Sequence, residues 1–562
     1  MHKKSLIYIF FFTLIISNGL LADENYDHKI QPEFHSIEAT KEIKVSSGKK
    51  LAIVSANNYA TKGAQEILSI GGNAADAAVT LQLILGLVEP QSSGLGGGSF
   101  ALYFNNKNKT VTNFDGRERA PKKILKNHFL DKDNKPQKFF DAAIGGKSVG
   151  VPGTIKTLHK IHNKFGKLDW EQLFEPAIKL ASEGFIPPPR LIQSLKKEKH
   201  LWKINQDNSF FKKIIENPSQ KIRNIQYEKT LRELSKDYNE FYDGKIADNM
   251  VQAVKNSNIN PGLLEKSDFL AYDTKDGNAL CTELKDKILC GPRLPSSGGI
   301  LLSQALIIYE NYNFDSTISH KRKLLDILAF VYNERAIFLG DPEFDFVNTE
   351  KLIQKDYLLK KFDLFQENFV KKIDFPEKFH STTHFSIHDN EGNVISMTSS
   401  IENGFGSRLF VDGFFLNNQL TDFSFKIKRK NKILKNVPEG GKRPLSSMSP
   451  ILIFDKNYNF LFSIGSPGGT AIIAYVFKNI VDILYLNIDP IHSVNSGNYL
   501  KKGEKIYVEK NKFKTREFDV IKRSNEKILQ MPLTSGLGII IKKNDLLFGI
   551  EDSRRDGNVF AK

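Results

Sequence analysis

A β-hairpin is predicted from Phe379-His-Ser-Thr-Thr-His-Phe-Ser-Ile-His-Asp389 and the residues that follow it. A strand from Thr382 to His388 leads into the turn Asn390-Glu-Gly-Asn393, and a second strand returns from Val394 to Ser400. Both strands mix apolar residues with Thr and Ser, as is common in half-buried strands. The pattern therefore indicates an antiparallel pair at the start of the C-terminal third of the chain.

The register of this hairpin gives the first indication of chemistry. Pairing about the turn is expected to bring Ser400 beside Thr382, with Glu402 just past it. Two hydroxyls next to a carboxylate can carry acyl transfer, with one hydroxyl as the activated nucleophile. From the hairpin alone, an ordinary structural pair of Thr and Ser is the favoured interpretation.

The remaining sequence predicts one large α+β domain. The stretch 73–86 is apolar almost all round and predicts a buried helix, whereas 170–375 is mainly helical with polar faces. After residue 382 strands dominate, apart from one long helix over about 469–486. No repeat or linker separates domains, so we expect an α+β layered sandwich. The glycines of 92–99 do not have the dinucleotide-binding spacing and predict close backbone packing beneath a site.

The N-terminus has the three parts of a secretory signal. Lys3 and Lys4 precede an apolar run over 6–16, and a small or polar stretch ends at Ala22. The run is shorter than the roughly 20 residues that a membrane span needs. We predict a signal peptide over 1–22 and export across the inner membrane to the periplasm; an uncleaved anchor is the alternative.

Charge and composition argue against several other classes of protein. The net charge is +16 over 562 residues, but the lysines are scattered and no nucleic-acid-binding motif accompanies them. A basic surface without a nucleic-acid partner is therefore expected. His384 and His388 are four residues apart but lie on a predicted strand, and no HExxH pattern occurs. Neither a metal nor a cofactor is expected.

The two cysteines, Cys281 and Cys290, flank a predicted hairpin that turns at 285–286. In that register they face each other at a non-hydrogen-bonded pair, where side chains approach closely. Export favours a disulfide, and two free buried thiols remain an alternative. No histidine lies nearby in sequence to activate either thiol.

Motifs along nearly the whole mature chain resemble gamma-glutamyltranspeptidases. Each motif is weak alone, but their number, order and spacing together are specific. They are Gly71-Gly-Asn-Ala-Ala-Asp-Ala-Ala78, Glu89-Pro-Gln-Ser-Ser-Gly-Leu-Gly-Gly-Gly98, Asp115-Gly-Arg-Glu-Arg-Ala-Pro121, Val151-Pro-Gly-Thr154, Pro295-Ser-Ser-Gly-Gly299, Thr382-Thr-His384, Leu416-Asn-Asn-Gln-Leu-Thr-Asp-Phe423, Lys442-Arg-Pro-Leu-Ser-Ser-Met-Ser-Pro450 and Ser466-Pro-Gly-Gly469.

The resemblance implies a four-layer αββα sandwich of the N-terminal-nucleophile hydrolase type. It also implies a precursor that cleaves its own Ser381–Thr382 bond into a large subunit, 23–381, and a small catalytic subunit, 382–562. Thr382 would be the nucleophile, with its new α-amino group as base. The N–H groups of Gly468 and Gly469 would form the oxyanion hole.

The resemblance further implies how a γ-glutamyl group is held. Arg117 would bind the α-carboxylate, with hydrogen bonds from Ser446 and Ser447. Asp422, and Gln419 through its amide oxygen, would hold the α-ammonium. The choice of Arg117 over its neighbour Arg119 rests on the register of the motif.

Two departures from the family pattern affect specificity. Ser400 stands where the family has a second threonine, and Glu402 stands where many members have asparagine. Glu402 is still expected to bind the substrate, but it could mark a subgroup with a different preference. The stretch 424–440, a lid in many relatives, is basic and lacks tyrosine. An open site is therefore expected, with hydrolysis favoured over transpeptidation.

The sequence thus predicts a γ-glutamyl hydrolase/transferase that acts on glutathione-like amides, with water or an amino acid or dipeptide as acceptor. Two alternatives remain. One is a glutaryl-type, cephalosporin-like acylase of the same fold. The other is an unprocessed, non-catalytic relative that only binds ligands.

Overall fold

The computed structural model of the chain describes residues 42–367, 381–429 and 432–562. The predicted signal peptide over 1–22 lies outside these residues. Within them, no helix is both long and apolar enough to cross a membrane. The strands are β1 Lys44–Gly48, β2 Ala52–Ser55, β3 Gly98–Asn105, β4 Thr110–Gly116, β5 Lys275–Asn278, β6 Leu280–Glu283, β7 Lys287–Gly291, β8 Ser381–His388, β9 Val394–Glu402, β10 Phe410–Val411, β11 Phe414–Phe415, β12 Lys428–Arg429, β13 Lys432–Ile433, β14 Ile451–Asp455, β15 Phe460–Gly465, β16 Tyr499–Lys502, β17 Lys505–Glu509, β18 Lys527–Met531, β19 Gly538–Lys543, β20 Leu546–Glu551 and β21 Asn558–Ala561.

The helices are concentrated between β2 and β8, as the mainly helical pattern of the middle region predicts. They are α1 Asn58–Ser69, α2 Ala74–Val88, α3 Phe139–Ala143, α4 Thr154–Phe165, α5 Glu175–Glu183, α6 Pro189–Lys197, α7 Lys199–Ile204, α8 Ser209–Glu216, α9 Ile225–Lys236, α10 Lys245–Lys255, α11 Lys266–Leu270, α12 Gly298–Asn311, α13 His320–Phe338, α14 Thr349–Leu352, α15 Lys355–Glu367, α16 Ile472–Leu484, α17 Pro490–Asn495 and α18 Thr515–Ile521.

Two seven-stranded sheets form the centre of the molecule. One has the order β1-β20-β19-β15-β14-β7-β6 and the other β21-β2-β8-β9-β3-β4-β5. Apolar side chains of the two sheets, among them Phe104 and Phe454, pack against each other between them. The outer face of the second sheet packs against α1, α2, α4 and α5. The outer face of the first packs against α12, α13 and α16. These four layers confirm the predicted αββα sandwich.

Helix α2 packs against the hairpin of β8 and β9 and is buried along its whole length. Asn73 caps it, and Asp76 completes a capping box that fixes where the helix begins. From this helix, Gln82 accepts a hydrogen bond of 2.7 Å from the hydroxyl of Ser399 on β9. The buried helix predicted over 73–86 is therefore present and is shifted by one or two residues.

The two cysteines form a disulfide between β6 and β7. Cys281 and Cys290 are directly opposite in the register of these strands, and their Cα atoms are 4.0 Å apart. The predicted hairpin is confirmed, and of the two alternatives the structure has the disulfide rather than free thiols.

Candidate active site

The hairpin formed by β8 and β9 lies in the middle of the second sheet, and its register is irregular at one point. Facing pairs such as Ile387 and Ile395 follow the predicted pairing. Near the start of β8 the register shifts, so that Ser400 and Ile401 stand opposite the single residue Thr382. Such bulges are frequent next to active sites because they redirect a side chain. Here the bulge keeps Ser400 next to Thr382.

A pocket opens at this end of the hairpin, with about 310 Å³ of empty space that includes its open mouth. Every residue predicted for the site lines it except Gly468, which precedes the lining residue Gly469 in the chain. The lining residues are Arg117, Arg335, Thr382, Ser400, Glu402, Gln419, Asp422, Ser446, Ser447, Met448, Gly469, Thr470 and Ile472.

We call Thr382, Ser400, Gly468 and Gly469 the nucleophile end of the pocket. The Thr382 hydroxyl donates to the Ser400 hydroxyl at 3.3 Å, and Ser400 donates to the carbonyl oxygen of Ser381 at 2.8 Å. The N–H of Glu402 donates to the Ser400 hydroxyl at 2.9 Å and holds it in place. Ser400 thus links the Thr382 hydroxyl to the carbonyl of the Ser381–Thr382 bond.

Gly468 and Gly469 lie between β15 and a single 3-10 turn, Gly469–Ala471, that leads into α16. Their φ angles are 129° and 55°, in the region that favours glycine. A Cβ on Gly468 would lie 2.6 Å from the ring of Tyr475. Neither N–H donates a hydrogen bond to a residue in the described part of the chain. The long helix predicted from about 469 therefore begins at Ile472, and the turn before it leaves two N–H groups available.

The remaining polar residues form the acyl end of the pocket, where a guanidinium and a carboxylate are already paired. Arg117 donates to Asp422 at 2.6 Å, although the two were expected to bind opposite charges of a substrate. Arg117 also donates to the carbonyls of Pro444 and Leu445, at 2.9 and 2.8 Å. The neighbouring Arg119 instead pairs with Glu343 at 2.9 Å.

The other predicted residues of the acyl end point several polar atoms at the pocket. Gln419 donates through its amide nitrogen to Asp422 at 2.7 Å, and its amide oxygen has no partner among the described residues. Glu402 has a φ of 78° and accepts from Asn418 at 2.6 Å. The hydroxyl of Ser447 is buried with no partner in the described part of the chain. The Gln419 oxygen and the Ser447 hydroxyl are thus available for a ligand.

The sequence did not identify two ionisable residues at this end. Glu118 lies against Arg117, with 3.6 Å between Oε2 and Nη1, and neither carboxyl oxygen has a hydrogen-bond partner among the described residues. Burial raises the pKa of Glu118 to about 8, with Arg117 acting in the opposite direction. A raised pKa favours the neutral carboxyl, which does not neutralise Arg117. Glu118 follows Arg117 directly in the sequence, but nothing in the sequence indicated that Glu118 is buried.

Arg335 is the second of these residues and lies in the last turn of α13. It lines the pocket and donates through Nε to the hydroxyl of Ser297 at 3.2 Å. No sequence pattern singled it out, because a basic residue near the end of a helix is ordinary.

In the described residues, no group of three or more His, Cys, Asp or Glu side chains could hold a metal ion.

The fold is that of the N-terminal-nucleophile hydrolases: two sheets between helical layers, with a hydroxyl residue at the start of a central strand. A family profile described as Gamma-glutamyltranspeptidase matches residues 60–561, and the chain belongs to this enzyme family.

Relatives in sequence agree with this assignment, and a solved structure shares the fold. The chain is 33% identical to the glutathione hydrolase proenzyme of Bacillus subtilis (strain 168), over 78% of each chain. It is 29% identical to the glutathione hydrolase proenzyme of Escherichia coli (strain K12), over 89% of this chain and 90% of that one. A cephalosporin acylase from Bacillus halodurans superimposes with a TM-score of 0.81 at 21% identity, covering 94% of this chain and 98% of the other. At that identity the last similarity shows the fold alone.

Proposed function

We propose that this chain is a self-processing γ-glutamyl hydrolase that cleaves glutathione and related amides through an acyl-enzyme on Thr382. The observation that carries the proposal is the hydrogen-bonded path from Thr382 through Ser400 to the Ser381 carbonyl, at the mouth of a charged pocket. The glutathione hydrolase proenzymes that it resembles supply the substrate class.

Self-cleavage begins with attack of the Thr382 hydroxyl oxygen on the carbonyl carbon of Ser381. A C–O bond forms, the C–N bond breaks, and the hydroxyl proton moves to the departing amine. Ser400 stabilises the negative charge that develops on the carbonyl oxygen, to which it already donates at 2.8 Å. Water then hydrolyses the ester, leaving a carboxylate on Ser381 and a free α-amine on Thr382. The products 23–381 and 382–562 remain together as a heterodimer.

In turnover, the α-amine of Thr382 takes the proton of its own hydroxyl, which attacks the γ-carbonyl of the substrate. The N–H groups of Gly468 and Gly469 bind the oxyanion, and the leaving amine takes the proton. Water then hydrolyses the acyl-enzyme and releases glutamate.

The charges of the acyl end favour a glutamyl over a glutaryl group. Two guanidinium groups, on Arg117 and Arg335, and two carboxylates, on Glu402 and Asp422, line the pocket. This set matches a ligand that carries both an ammonium and a carboxylate. A glutaryl group brings no positive charge to the two carboxylates, so it matches this set of charges less well. The acylase alternative therefore remains the less favoured one.

The position of the segment 424–440 supports hydrolysis over transpeptidation. Within the described residues, none of those that line the pocket comes from 424–440. The N–H of Ser424 donates to the carbonyl of Asn436 at 2.7 Å. This hydrogen bond joins the two ends of the segment next to the site. The aromatic residue of this segment, Phe425, stacks on Phe129 and does not line the pocket, which supports access of water to the acyl-enzyme. For the location of the protein, we propose export to the periplasm, which cell fractionation would test.

The proposal is tested by mass spectrometry of the purified protein, before and after incubation with γ-glutamyl-p-nitroanilide. We expect two fragments that separate before Thr382, release of nitroaniline, and a glutamyl adduct on the 382–562 fragment. A single uncleaved chain without turnover would favour the non-catalytic alternative. Added glycylglycine should raise turnover only weakly, and strong stimulation would contradict the preference for hydrolysis.

A further inference from the structure

The first residues of β8 have a strand neighbour on one side only. β9 pairs with Ser381 and with Thr383, and the register shift leaves Thr382 between these two pairs. On the other side, β2 pairs with β8 only from Phe385 to His388. Within the described residues, no strand continues the sheet beside Thr382 on the β2 side. A buried main-chain group at such an edge must find its hydrogen-bond partner in a side chain.

Arg555 supplies a partner for Thr382. It lies between β20 and β21, and β21 flanks β2 in the same sheet. The Nη1 of Arg555 donates to the carbonyl oxygen of Thr382 at 3.1 Å. Both residues are buried, with exposed fractions of 3% and 2%. A hydrogen bond from a charged donor is roughly twice as strong as one between neutral groups, so this contact can replace a strand hydrogen bond.

The stem of Arg555 also lies next to the turn that carries the proposed oxyanion hole. A Cβ on Gly536 would lie 2.5 Å from Cδ of Arg555 and 2.8 Å from Cγ of Pro467. Arg555 and Pro467 thus lie against the same face of Gly536, and Pro467 directly precedes the two glycines of the hole. The N–H of Gly536 donates to the Ser466 hydroxyl at 3.2 Å. Arg555 therefore connects the carbonyl of Thr382 with the beginning of this turn.

Self-cleavage changes what holds Thr382 in place. In the precursor, peptide bonds to Ser381 and to Thr383 restrain it on both sides. Cleavage removes the bond to Ser381, and Thr382 becomes a chain end within a bulge. Chain ends are poorly ordered unless other contacts tie them down. The hydrogen bond from Arg555 remains after cleavage, and a misplacement of a reacting group by about 1 Å can cost roughly 10²-fold in rate.

We propose that Arg555 is a positioning residue that holds Thr382 in its reactive place once the Ser381–Thr382 bond is cut. Its guanidinium fixes the carbonyl of Thr382, and its stem keeps this anchor beside the oxyanion-hole turn. The hydroxyl and the α-amine of Thr382 thereby stay aligned with that turn. The inference rests on the proposed function for the reaction that Arg555 supports, whereas the anchoring of Thr382 does not depend on the substrate.

The kinetic test measures single-turnover release of nitroaniline from γ-glutamyl-p-nitroanilide by fully processed protein. Arg555→Met keeps an apolar stem but removes every donor, and it should slow this acylation step about 10- to 100-fold, the range for a lost charged hydrogen bond. Self-cleavage should be nearly unchanged, because the peptide bond to Ser381 still holds Thr382. Calorimetric binding of L-glutamate should also be nearly unchanged. Arg555→Lys should be intermediate, since it keeps a charged donor but loses the planar fork.

Arg232→Met is the control for replacing an arginine, because it changes an exposed residue of α9 that does not line the pocket. Equal slowing of self-cleavage and acylation in Arg555→Met would assign Arg555 a general structural role and overturn the proposal. An unchanged acylation rate would overturn it as well. If thermal melting shows that Arg555→Met does not fold, Arg555→Lys decides the matter, and acylation at the wild-type rate would then contradict the proposal.

Hydrogen exchange separates the inference from the proposed function. Amides at the start of β8 should exchange faster in processed Arg555→Met than in the processed wild type. In Thr382→Ala, which we expect to stay uncleaved, adding Arg555→Met should leave their exchange unchanged.

The outcomes of the two measurements differ for the two ideas. If the wild type processes itself but cleaves no γ-glutamyl amide, and exchange depends on Arg555 only after cleavage, the proposed function fails and the inference stands. If the wild type cleaves the amides and neither acylation nor exchange depends on Arg555, the inference fails alone. A wild type that never cleaves itself would overturn both.

Discussion

The nucleophile end of the pocket is built mainly within one hairpin, whereas the acyl end is assembled from segments far apart in the chain. Ser400 and the carbonyl of Ser381 are 19 positions apart in the sequence, but Arg117 and Asp422 are 305 apart. The first end uses neutral hydroxyls and main-chain groups, and the second uses buried charges. Local register determines the first arrangement, and tertiary packing determines the second. We therefore expect substitutions at the two ends to affect different properties of the protein.

The largest effect is expected from Thr382→Ala, which removes the attacking oxygen. We expect no self-cleavage and turnover indistinguishable from background, because both reactions begin with that oxygen. Denaturing gels over several days and a γ-glutamyl-p-nitroanilide assay measure the two losses. Thr383→Val is the matched control, since the Thr383 hydroxyl has no hydrogen-bond partner among the described residues. Cleavage of Thr382→Ala at the same bond would rule out Thr382 as the nucleophile.

Ser400→Ala should slow self-cleavage by about 10²- to 10³-fold, the usual cost of losing one donor to an oxyanion. The half-time of conversion to two fragments measures this effect. Ser400→Thr keeps the hydroxyl and should process at close to the wild-type rate. If the alanine variant processes normally, the hydroxyl does not stabilise the carbonyl, and the nucleophile end would depend on main-chain donors alone.

The contrast between the two ends also explains what the sequence could predict. Thr382, Ser400 and the four-layer fold followed from local pattern and from motif order. Arg117, Asp422 and the serines were located by their motifs, but their pairing was not, because no local rule states that Arg117 and Asp422 bind each other. Glu118 and Arg335 were missed, since each becomes unusual only through burial. Burial of a charge depends on packing between distant segments.

Glu402→Gln tests the residue at which the nucleophile end and the acyl end meet. Gln keeps an oxygen that can accept from Asn418 but removes the negative charge that we propose to face the substrate ammonium. We expect KM for γ-glutamyl-p-nitroanilide to rise about 10-fold, the lower part of the range for a charged hydrogen bond, with little change in kcat. The glutaryl substrate should not be weakened. An equal decrease of kcat and of kcat/KM would instead assign Glu402 to the chemical step.

A separate prediction concerns Glu118 and appears in stability rather than in turnover. Its pKa is about 8 in the folded protein, above the ordinary value of 4.5, so between these values the folded state binds more protons than the unfolded state. Stability contributed by the neutral carboxyl is therefore fully present below about pH 4.5 and is lost as the pH rises towards 8. Glu118→Gln removes this dependence because its amide stays neutral.

We expect the melting temperature of Glu118→Gln, relative to that of the wild type, to rise between pH 5 and pH 8 by an amount equivalent to a few kcal/mol. Scanning fluorimetry at both pH values measures the difference. Glu343→Gln is the control, because its carboxylate is partly exposed and, against the effect of burial, Arg443, Lys275 and Arg119 hold its pKa below the ordinary value. Its difference from the wild type should not shift in the same direction. A constant difference between Glu118→Gln and the wild type would mean that Glu118 is ionised in the fold. Arg117 would then be neutralised on two sides, by Glu118 and by Asp422.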